Sequence, residues 1–215
     1  MSVRDAICGF YAVLDRDDEA LARALVSCAR VLQVRLKPRG GSSDGVDLVR
    51  VARMARRICD DAGAALIVND RLDVALAVDA DGVHLGQTDL PLEDARRLAP
   101  DLWIGISTHN LAQVRAACDA GADYLGFGPV FTTTTKEHPD PVQGLDGLRA
   151  AVAAAGVRPV VAIGGITASQ VGDVYRTGAH AICAISAVNN ARDPRNTARQ
   201  FSPTQPMESS ASARV

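Results

Sequence analysis

The chain has 215 residues, of which 47% are hydrophobic and 22% are charged, and its formal net charge is −2. This composition is typical of a folded globular chain and excludes a disordered or fibrous protein. The small net charge and the 4% aromatic content argue against a general binder of nucleic acids or membrane surfaces.

The five cysteines are widely spaced and form no CxxC pair. Disulfide frameworks usually hold an even number of cysteines in a short secreted chain, so we interpret these as reduced thiols. The first ten residues show no signal-peptide pattern, and no apolar run reaches the roughly 18 residues of a membrane span. We therefore expect a soluble, cytoplasmic protein, and the sequence leaves open whether it forms a homo-oligomer.

Short apolar runs alternate along the chain with longer segments of helical period. This alternation is typical of parallel α/β folds, in which helices cover the outer face of the strands and bury them. The predicted strands are Phe10–Leu14, Val31–Arg35, Ala65–Asn69, Gly82–Leu85, Trp103–Ser107, Tyr124–Phe127, Val160–Ile163 and Ala181–Ile185. Eight β/α units predict a single (β/α)8 TIM barrel, with a doubly wound open sheet as the alternative α/β architecture.

Three of the connecting segments carry clear helix signals. Asp44–Ala62 repeats apolar residues at helical spacing and has a polar opposite face. Asn110–Ala120 begins at an Asn cap and ends before Gly121. Thr167–Gln170 has the pattern of a capping box, which predicts the start of a helix that ends before Gly178.

The composition changes near the C-terminus. Residues 1–199 are predicted to form the barrel domain. Residues 200–215 lack hydrophobic periodicity and are rich in Ser and Pro, so they predict a disordered tail.

Polar side chains follow the predicted strands at their C-terminal ends, where parallel α/β proteins carry their functional residues. Gln33, Arg35 and Lys37 stand at alternate positions, so in an extended chain their side chains point to the same side. Two cations and an amide would then converge on one volume. The alternative interpretation is an ordinary solvent-exposed basic surface.

Asp70 and Asp89 follow two consecutive predicted strands. Adjacent strands lie about 4.8 Å apart, which allows two carboxylates to share one cation. Carboxylate oxygens suit Mg²⁺, which commonly binds one or two carboxylates together with substrate phosphates. Alternatively, Asp70 caps the helix from Leu72 and Asp89 caps the helix near Pro91. For the two residues as a pair, we favour the metal site.

Two further loops predict phosphate binding. After Tyr124–Phe127, the hydroxyls of Thr132–Thr135 and the charge of Lys136 can surround an anion, although a Thr run can also be a solvated loop. The last two strands are followed by Gly164-Gly165 and Ile185-Ser186, where backbone amides can face a phosphate, or form a tight turn and a Ser cap. An enzyme that joins a pyrophosphate ester to a monophosphate needs two such zones.

Four segments together resemble the thiamine-phosphate synthase family: VLQVRLK, LIVNDRLDVALAVDADGVHLGQTDLP, IGISTHNLAQVRAACDAGADYLGFGPVFTTTTK and PVVAIGGITASQV. The resemblance covers about residues 31–188 and includes several long motifs in order. It implies a TIM barrel that couples hydroxymethylpyrimidine pyrophosphate to hydroxyethylthiazole phosphate. It also implies that pyrophosphate leaves with the help of Mg²⁺, in a dissociative step, before the thiazole nitrogen attacks.

The resemblance also implies roles for individual residues. Asp70 and Asp89 would hold Mg²⁺, and Arg35, Lys37, Ser107 and Lys136 would be the catalytic residues around the pyrophosphate. The remaining substrate-binding residues would be Gln33 and Asn69 for the pyrimidine pyrophosphate, Thr133 and Thr135 for the thiazole, and Gly165, Ile185 and Ser186 for its phosphate. The chain departs from the family at Pro38–Gly41, at Glu137–Gln143 and in a short N-terminal part.

Two other functions remain as alternatives. A related thiazole tautomerase would use His109 as its base. A tautomerase needs no Mg²⁺, however, so Arg35, Lys37, Asp70, Asp89 and Lys136 would have no common task in it. A non-catalytic phosphate-binding regulator would not need the complete set of charged groups at the strand ends. Pyrophosphate release that depends on Mg²⁺ indicates the synthase, metal-free isomerisation indicates the tautomerase, and binding without turnover indicates the regulator.

Overall fold

The computed structural model describes residues 1–36, 45–133 and 140–203. The strands are β1 (Gly9–Phe10), β2 (Ala12–Leu14), β3 (Val31–Val34), β4 (Ala65–Asn69), β5 (Gly82–Leu85), β6 (Trp103–Thr108), β7 (Tyr124–Phe127), β8 (Val160–Ile163) and β9 (Ala181–Cys183). The helices are α1 (Val3–Ala6), α2 (Glu19–Val26), α3 (Gly45–Ala62), α4 (Leu72–Ala77), α5 (Leu92–Leu98), α6 (Leu111–Asp119), α7 (Gly144–Ala155), α8 (Val171–Arg176), α9 (Ile185–Asn189) and α10 (Pro194–Arg199). Among these described helices, none is both long enough and apolar enough to cross a membrane.

The strands form one parallel sheet that closes on itself. Their order is β1-β9-β8-β7-β6-β5-β4-β3-β2, so it shows no reversal of the kind that defines a doubly wound sheet. β1 and β2 are two halves of the first predicted strand, because β1 pairs with β9 whereas β2 pairs with β3. Tyr11, between the two halves, donates its N–H to the carbonyl of Ile182 at 2.9 Å. The predicted barrel is therefore confirmed.

Two apolar layers hold the barrel together. In the outer layer, the helices pack on the strands through one large cluster of buried side chains. A second cluster fills the interior, and Ala6 and Ile7 belong to it, so α1 closes the N-terminal end of the barrel. The interior cluster contains Tyr11, between β1 and β2, and the strand residues Val13, Val31, Ala65, Ile67, Tyr124, Val161, Ala181 and Cys183. Burial on both faces explains why the strands are almost continuously apolar.

Three side chains each accept a hydrogen bond from the backbone of a neighbouring strand, near the N-terminal ends of the strands. Asp81 and Asp123 each accept a backbone N–H of the preceding strand at 2.7 Å. In the last unit, His180 takes this role, and its Nδ1 accepts the N–H of Val160 at 3.3 Å. Burial lowers the pKa of His180, which favours the neutral ring that can accept this hydrogen bond.

The predicted strand Ala181–Ile185 was too long at its C-terminal end. The strand ends at Cys183, and Ile185 instead begins α9. The reason is that the apolar run continues into the buried side of the helix, so hydrophobicity alone does not mark the boundary. Similarly, the strand predicted to end at Arg35 ends one residue earlier, at Val34.

The predicted helix starts agree with the structure. Asn110 caps α6 by accepting the N–H of Gln113 at 2.9 Å. Thr167 and Gln170 form the predicted capping box, which opens a short 3-10 turn that leads into α8. α3 runs from Gly45 to Ala62, close to its predicted bounds.

The described chain packs on the barrel beyond residue 199, the predicted end of the domain. Phe201 is 1% exposed, and its ring centre lies 6.1 Å from that of Phe10. The hydroxyl of Tyr175 donates to the carbonyl of Phe201 at 2.8 Å. The start of the predicted tail therefore belongs to the packed structure, and residues 204–215 lie outside the described residues.

Candidate functional site

The predicted site residues lie at the C-terminal ends of the strands. Because all strands are parallel, these ends meet at one mouth of the barrel. Those within the described ranges are Gln33, Arg35, Asn69, Asp70, Asp89, Ser107, Thr133, Gly165, Ile185 and Ser186. Lys37, Thr135 and Lys136 lie outside the described residues, so their predicted roles stay predictions.

The carboxyl groups of Asp70 and Asp89 meet at the ends of β4 and β5. Asp70 lies within hydrogen-bond reach of Asp89 and of Asn69, and Arg35 is close enough to act on its charge. Burial, followed by the neighbouring Asp89 carboxyl, raises the pKa of Asp70. The φ of 62° at Asp70 lies in the left-handed region, which few non-glycine residues adopt. The local backbone therefore holds two acidic groups together.

The alternative interpretation required Asp70 and Asp89 to cap helices, but neither of them does so. The cap positions of α4 and α5 are occupied by Arg71 and Pro91, and neither makes a side-chain capping hydrogen bond. Asp89 accepts the N–H of Gly86 at 2.7 Å and so closes the turn after β5. Loop geometry thus positions this pair of carboxyl groups at the mouth.

The donor set of this pair fits a hard divalent cation. Two closely spaced carboxyl groups repel each other when both are ionised, and a shared cation removes this repulsion. Carboxylate oxygens are ligands of the kind that Mg²⁺ takes. Within the described ranges, no group of three or more His, Cys, Asp or Glu side chains could hold a metal ion. An ion at Asp70 and Asp89 would therefore need water or substrate oxygens as further ligands.

A chain of hydrogen bonds crosses the barrel interior from Gln33 to Ser107. Gln33 Nε2 donates to the hydroxyl of Tyr11 at 2.9 Å, and that hydroxyl lies 2.9 Å from the hydroxyl of Tyr124. His84 completes the chain, with Nδ1 3.0 Å from the Tyr124 hydroxyl and Nε2 2.9 Å from Ser107 Oγ. The chain links two predicted substrate-binding residues and holds their side chains at a fixed spacing.

The sequence analysis did not single out the three middle members of this chain. Burial, with the nearby Arg35 guanidinium, lowers the pKa of His84 to about 4, so the ring is neutral near pH 7. Burial also raises the pKa of Tyr11 and of Tyr124. One signal in the sequence could have indicated these residues: His84 is a polar ring inside the apolar strand β5, and Gly105 lies opposite it in β6. A Cβ on Gly105 would lie 2.1 Å from the ring of Tyr124, so only glycine leaves room for it.

The loops that follow β7 and β8 lie against each other. The N–H of Val130 donates to the carbonyl of Ile163 at 2.9 Å. Gly165 has a φ of 66°, and a Cβ there would lie 2.3 Å from the carbonyl oxygen of Thr132. This close approach brings Gly165 beside the loop of Thr133, and the prediction that both contact one substrate stays a prediction. The phosphate-binding roles of Gly165, Ile185 and Ser186 stay predictions.

Both ring nitrogens of His109 face other groups of the protein. Nδ1 lies 2.7 Å from the carbonyl oxygen of Gly128, and Nε2 lies 3.6 Å from a carboxylate oxygen of Asp140. A carbonyl oxygen only accepts hydrogen bonds, so Nδ1 carries a hydrogen. The ring that the tautomerase alternative requires as a base is thus engaged in contacts with loop residues.

The fold and the site define a TIM-barrel enzyme whose functional groups surround the C-terminal mouth. The family model described as thiamine monophosphate synthase matches residues 7–188. The chain belongs to this family.

Similar proteins agree with this assignment. The thiamine-phosphate synthase of Chloroflexus aurantiacus is 48% identical over 178 residues, which are 83% of this chain and 80% of that protein. The thiamine-phosphate synthase of Methanocella arvoryzae is 46% identical over 184 residues, or 85% and 84% of the two chains. The structure of thiamine phosphate pyrophosphorylase from Pyrococcus furiosus matches with a TM-score of 0.83 at 36% identity, covering 93% of this chain and 96% of that one.

Proposed function

We propose that this enzyme joins hydroxymethylpyrimidine pyrophosphate to hydroxyethylthiazole phosphate, giving thiamine phosphate and pyrophosphate. The observation that carries the proposal is the meeting of Asp70, Asp89 and Arg35 at the barrel mouth. Two carboxyl groups that can hold a metal ion, beside a guanidinium that can bind phosphate oxygens, suit the binding of a metal-bound pyrophosphate. The names of the relatives support the same reaction.

In the proposed first step, the bond between the pyrimidine methylene carbon and the pyrophosphate oxygen breaks. The leaving group takes the electron pair, so negative charge grows on its oxygens. The Arg35 guanidinium stabilises this charge, with Lys37 and Lys136 as further proposed partners. When bound by Asp70 and Asp89, Mg²⁺ would supply Lewis-acid neutralisation of the pyrophosphate oxygens.

In the second step, the lone pair of the thiazole nitrogen forms the new bond to the methylene carbon. The substrate itself is the nucleophile, so the protein needs no nucleophilic side chain. The electron-rich aminopyrimidine ring can delocalise positive charge at the methylene, which favours the dissociative order. We propose that Thr133 and Thr135 orient the thiazole, and that its phosphate binds at Gly165, Ile185 and Ser186.

The interior hydrogen-bond chain serves the pyrimidine end of this reaction. Gln33, Asn69 and Ser107 are proposed to bind the pyrimidine pyrophosphate, and two of them are the ends of the chain. Fixing these side chains before the substrate arrives reduces the entropy lost on reaching the reactive geometry. The protein's contribution is thus positioning and charge stabilisation.

The test uses metal-depleted protein and measures the pyrophosphate that the reaction releases. Each reaction contains both substrates or one of them alone, with or without added Mg²⁺. We expect rapid release with both substrates and Mg²⁺, and its loss when Mg²⁺ is left out. Rapid release that persists without any divalent cation would overturn the metal assignment. Isomerisation of a thiazole precursor without metal, or binding with no turnover, would favour the tautomerase or the regulator instead.

A further inference from the structure

We infer that His109 is a positioning residue that clamps together the two described ends of the connection between β7 and α7. Its Nδ1 donates to the carbonyl of Gly128 at 2.7 Å, at the start of the connection. Its Nε2 faces the carboxylate of Asp140 at 3.6 Å, beyond the threonine run. One imidazole ring therefore spans two points that are far apart along the chain.

The backbone of His109 is itself held in place from the barrel side. His109 directly follows β6, and its backbone N–H donates to Gln113 Oε1 at 2.7 Å. The His109 side chain is 23% exposed and that of Asp140 is 32% exposed, so water only partly screens the pair. An attraction of this kind forms when the ring carries a hydrogen on both nitrogens, since Nδ1 is already used as a donor.

The backbone also ties the two ends of the connection together, since the N–H of Gln143 donates to the carbonyl of Pro129 at 2.9 Å. Gly128 is tied to the barrel, because its N–H donates to the carbonyl of Thr108 at 3.2 Å. A Cβ on Gly128 would also lie 2.0 Å from the carbonyl oxygen of Ile163. His109 therefore joins a fixed point of the barrel to Asp140, and we expect its removal to shift the Asp140 end.

The clamp bears on one substrate in particular. Thr133 lies on this connection and is proposed to contact the thiazole, whereas Asp70 and Asp89 follow β4 and β5 on another part of the rim. The effect of the clamp on substrate binding rests on the proposed function. It then requires that loss of the clamp weakens binding of the thiazole phosphate more than binding of the pyrimidine pyrophosphate, which has Lys136 of this connection as one of its proposed partners.

The first experiment is a double-mutant cycle of His109→Ala and Asp140→Ala, with KM measured for each substrate. We expect each single change to raise the KM for the thiazole phosphate about tenfold, and the double change to add little, because both break one unit. The KM for the pyrimidine pyrophosphate should rise less, because its other proposed partners Arg35, Asp70 and Asp89 lie outside the connection. Additive single effects, or equal changes in both KM values, would overturn the inference.

Matched variants separate the two contacts. In His109→Asn, the side-chain amide can replace Nδ1 as the donor to Gly128 but cannot reach Asp140, so the KM for the thiazole phosphate should rise, by no more than in Asp140→Ala. Asp146→Ala is the control, because this α7 carboxylate is 98% exposed and pairs only locally with Arg149. A loss from the control as large as that from Asp140→Ala would also contradict the inference.

A readout that needs no turnover separates this inference from the proposed function. Amide hydrogen exchange of the substrate-free protein should become faster at residues 129–133 and 140–143 in both single variants, and should stay unchanged in α4 and α5. Unchanged exchange in the connection would refute the clamp even in an active enzyme. Faster exchange in a protein that lacks synthase activity would support the clamp while the proposed function fails.

Discussion

His84 Nε2 lies 2.9 Å from Ser107 Oγ, and this contact brings the interior hydrogen-bond chain to the mouth of the barrel. A neutral imidazole carries one hydrogen, so its two contacts must run in the same direction. If the Tyr11 hydroxyl, which accepts from Gln33, donates its own hydrogen to Tyr124, the hydrogens point on from Tyr124 to His84 Nδ1. His84 then donates from Nε2, which would leave the Ser107 hydroxyl hydrogen available for the substrate that Ser107 is proposed to bind.

This directionality predicts the effect of Tyr124→Phe. The change removes one hydroxyl that contacts both Tyr11 and His84, so two buried partners lose a hydrogen bond. We expect a loss of about 1–3 kcal/mol in the free energy of unfolding, measured by urea denaturation, together with reduced turnover. Tyr175→Phe is the control, since it removes one hydrogen bond to Phe201, and it should leave turnover unchanged. Full activity of Tyr124→Phe would contradict the role given to the chain.

Two glycine substitutions should change stability in opposite directions. Gly105→Ala places a Cβ 2.1 Å from the buried Tyr124 ring, which must move, and overpacking of this kind costs about 1–3 kcal/mol or more. Gly172→Ala lies within α8, where the nearest atom to a new Cβ is the end of Arg176 at 3.6 Å. The higher helix propensity of alanine should then stabilise the protein by about 0.5–1 kcal/mol. Thermal unfolding of both variants tests the pair, and an unchanged melting temperature for Gly105→Ala would refute the packing argument.

Asp89→Asn should abolish metal-dependent turnover without unfolding the protein. The asparagine oxygen can still accept the N–H of Gly86, so the turn after β5 keeps its hydrogen bond. Loss of the charge should lower turnover at limiting Mg²⁺ at least about 100-fold, as for other lost groups that stabilise charge in a transition state. The exposed Asp146→Asn serves as the control. Turnover of Asp89→Asn at the wild-type level in a Mg²⁺ titration would sink the metal assignment.

His180 predicts that stability falls on acidification. Its pKa is lowered in the folded state, so below its ordinary value near 6.5 the unfolded chain binds more protons, and the free energy of unfolding decreases as the pH falls. His180→Asn keeps an acceptor for the N–H of Val160 but does not titrate. Urea denaturation between pH 7 and about pH 5 should therefore show a shallower pH dependence for this variant. Parallel curves for the variant and the wild type would rule out His180 as a source.

The barrel could be predicted because its strands are buried on both faces and therefore stand out as apolar runs. The same reasoning placed Asp70 and Asp89 side by side, since consecutive strands of a barrel are neighbours. What it could not predict was the division of the first strand between two partners at Tyr11. That division depends on where the last strand lies in space, and no local pattern records it.

The interior hydrogen bonds escaped prediction for a different reason. Tyr11, His84 and Tyr124 are single polar rings within apolar strands, and each alone looks like a core residue. Their joint role depends on contacts across 113 sequence positions, as between Tyr11 and Tyr124. Phe201 differs from its prediction in another way, because it lies in a Ser- and Pro-rich segment predicted as a tail but is buried against Phe10.

The closing of the sheet between β1 and β9 has a consequence for the order of assembly. During synthesis, the first strand leaves the ribosome long before Ala181 and Ile182, to which Gly9 and Phe10 pair, have been made. Until then, two edges of the growing sheet have no partner, at β1 and at β8, and unpaired edges favour association with other chains. The nascent chain should therefore be most prone to aggregate just before its last strand emerges, and a ribosome-bound fragment that ends before residue 181 should capture chaperones more strongly than the full-length chain.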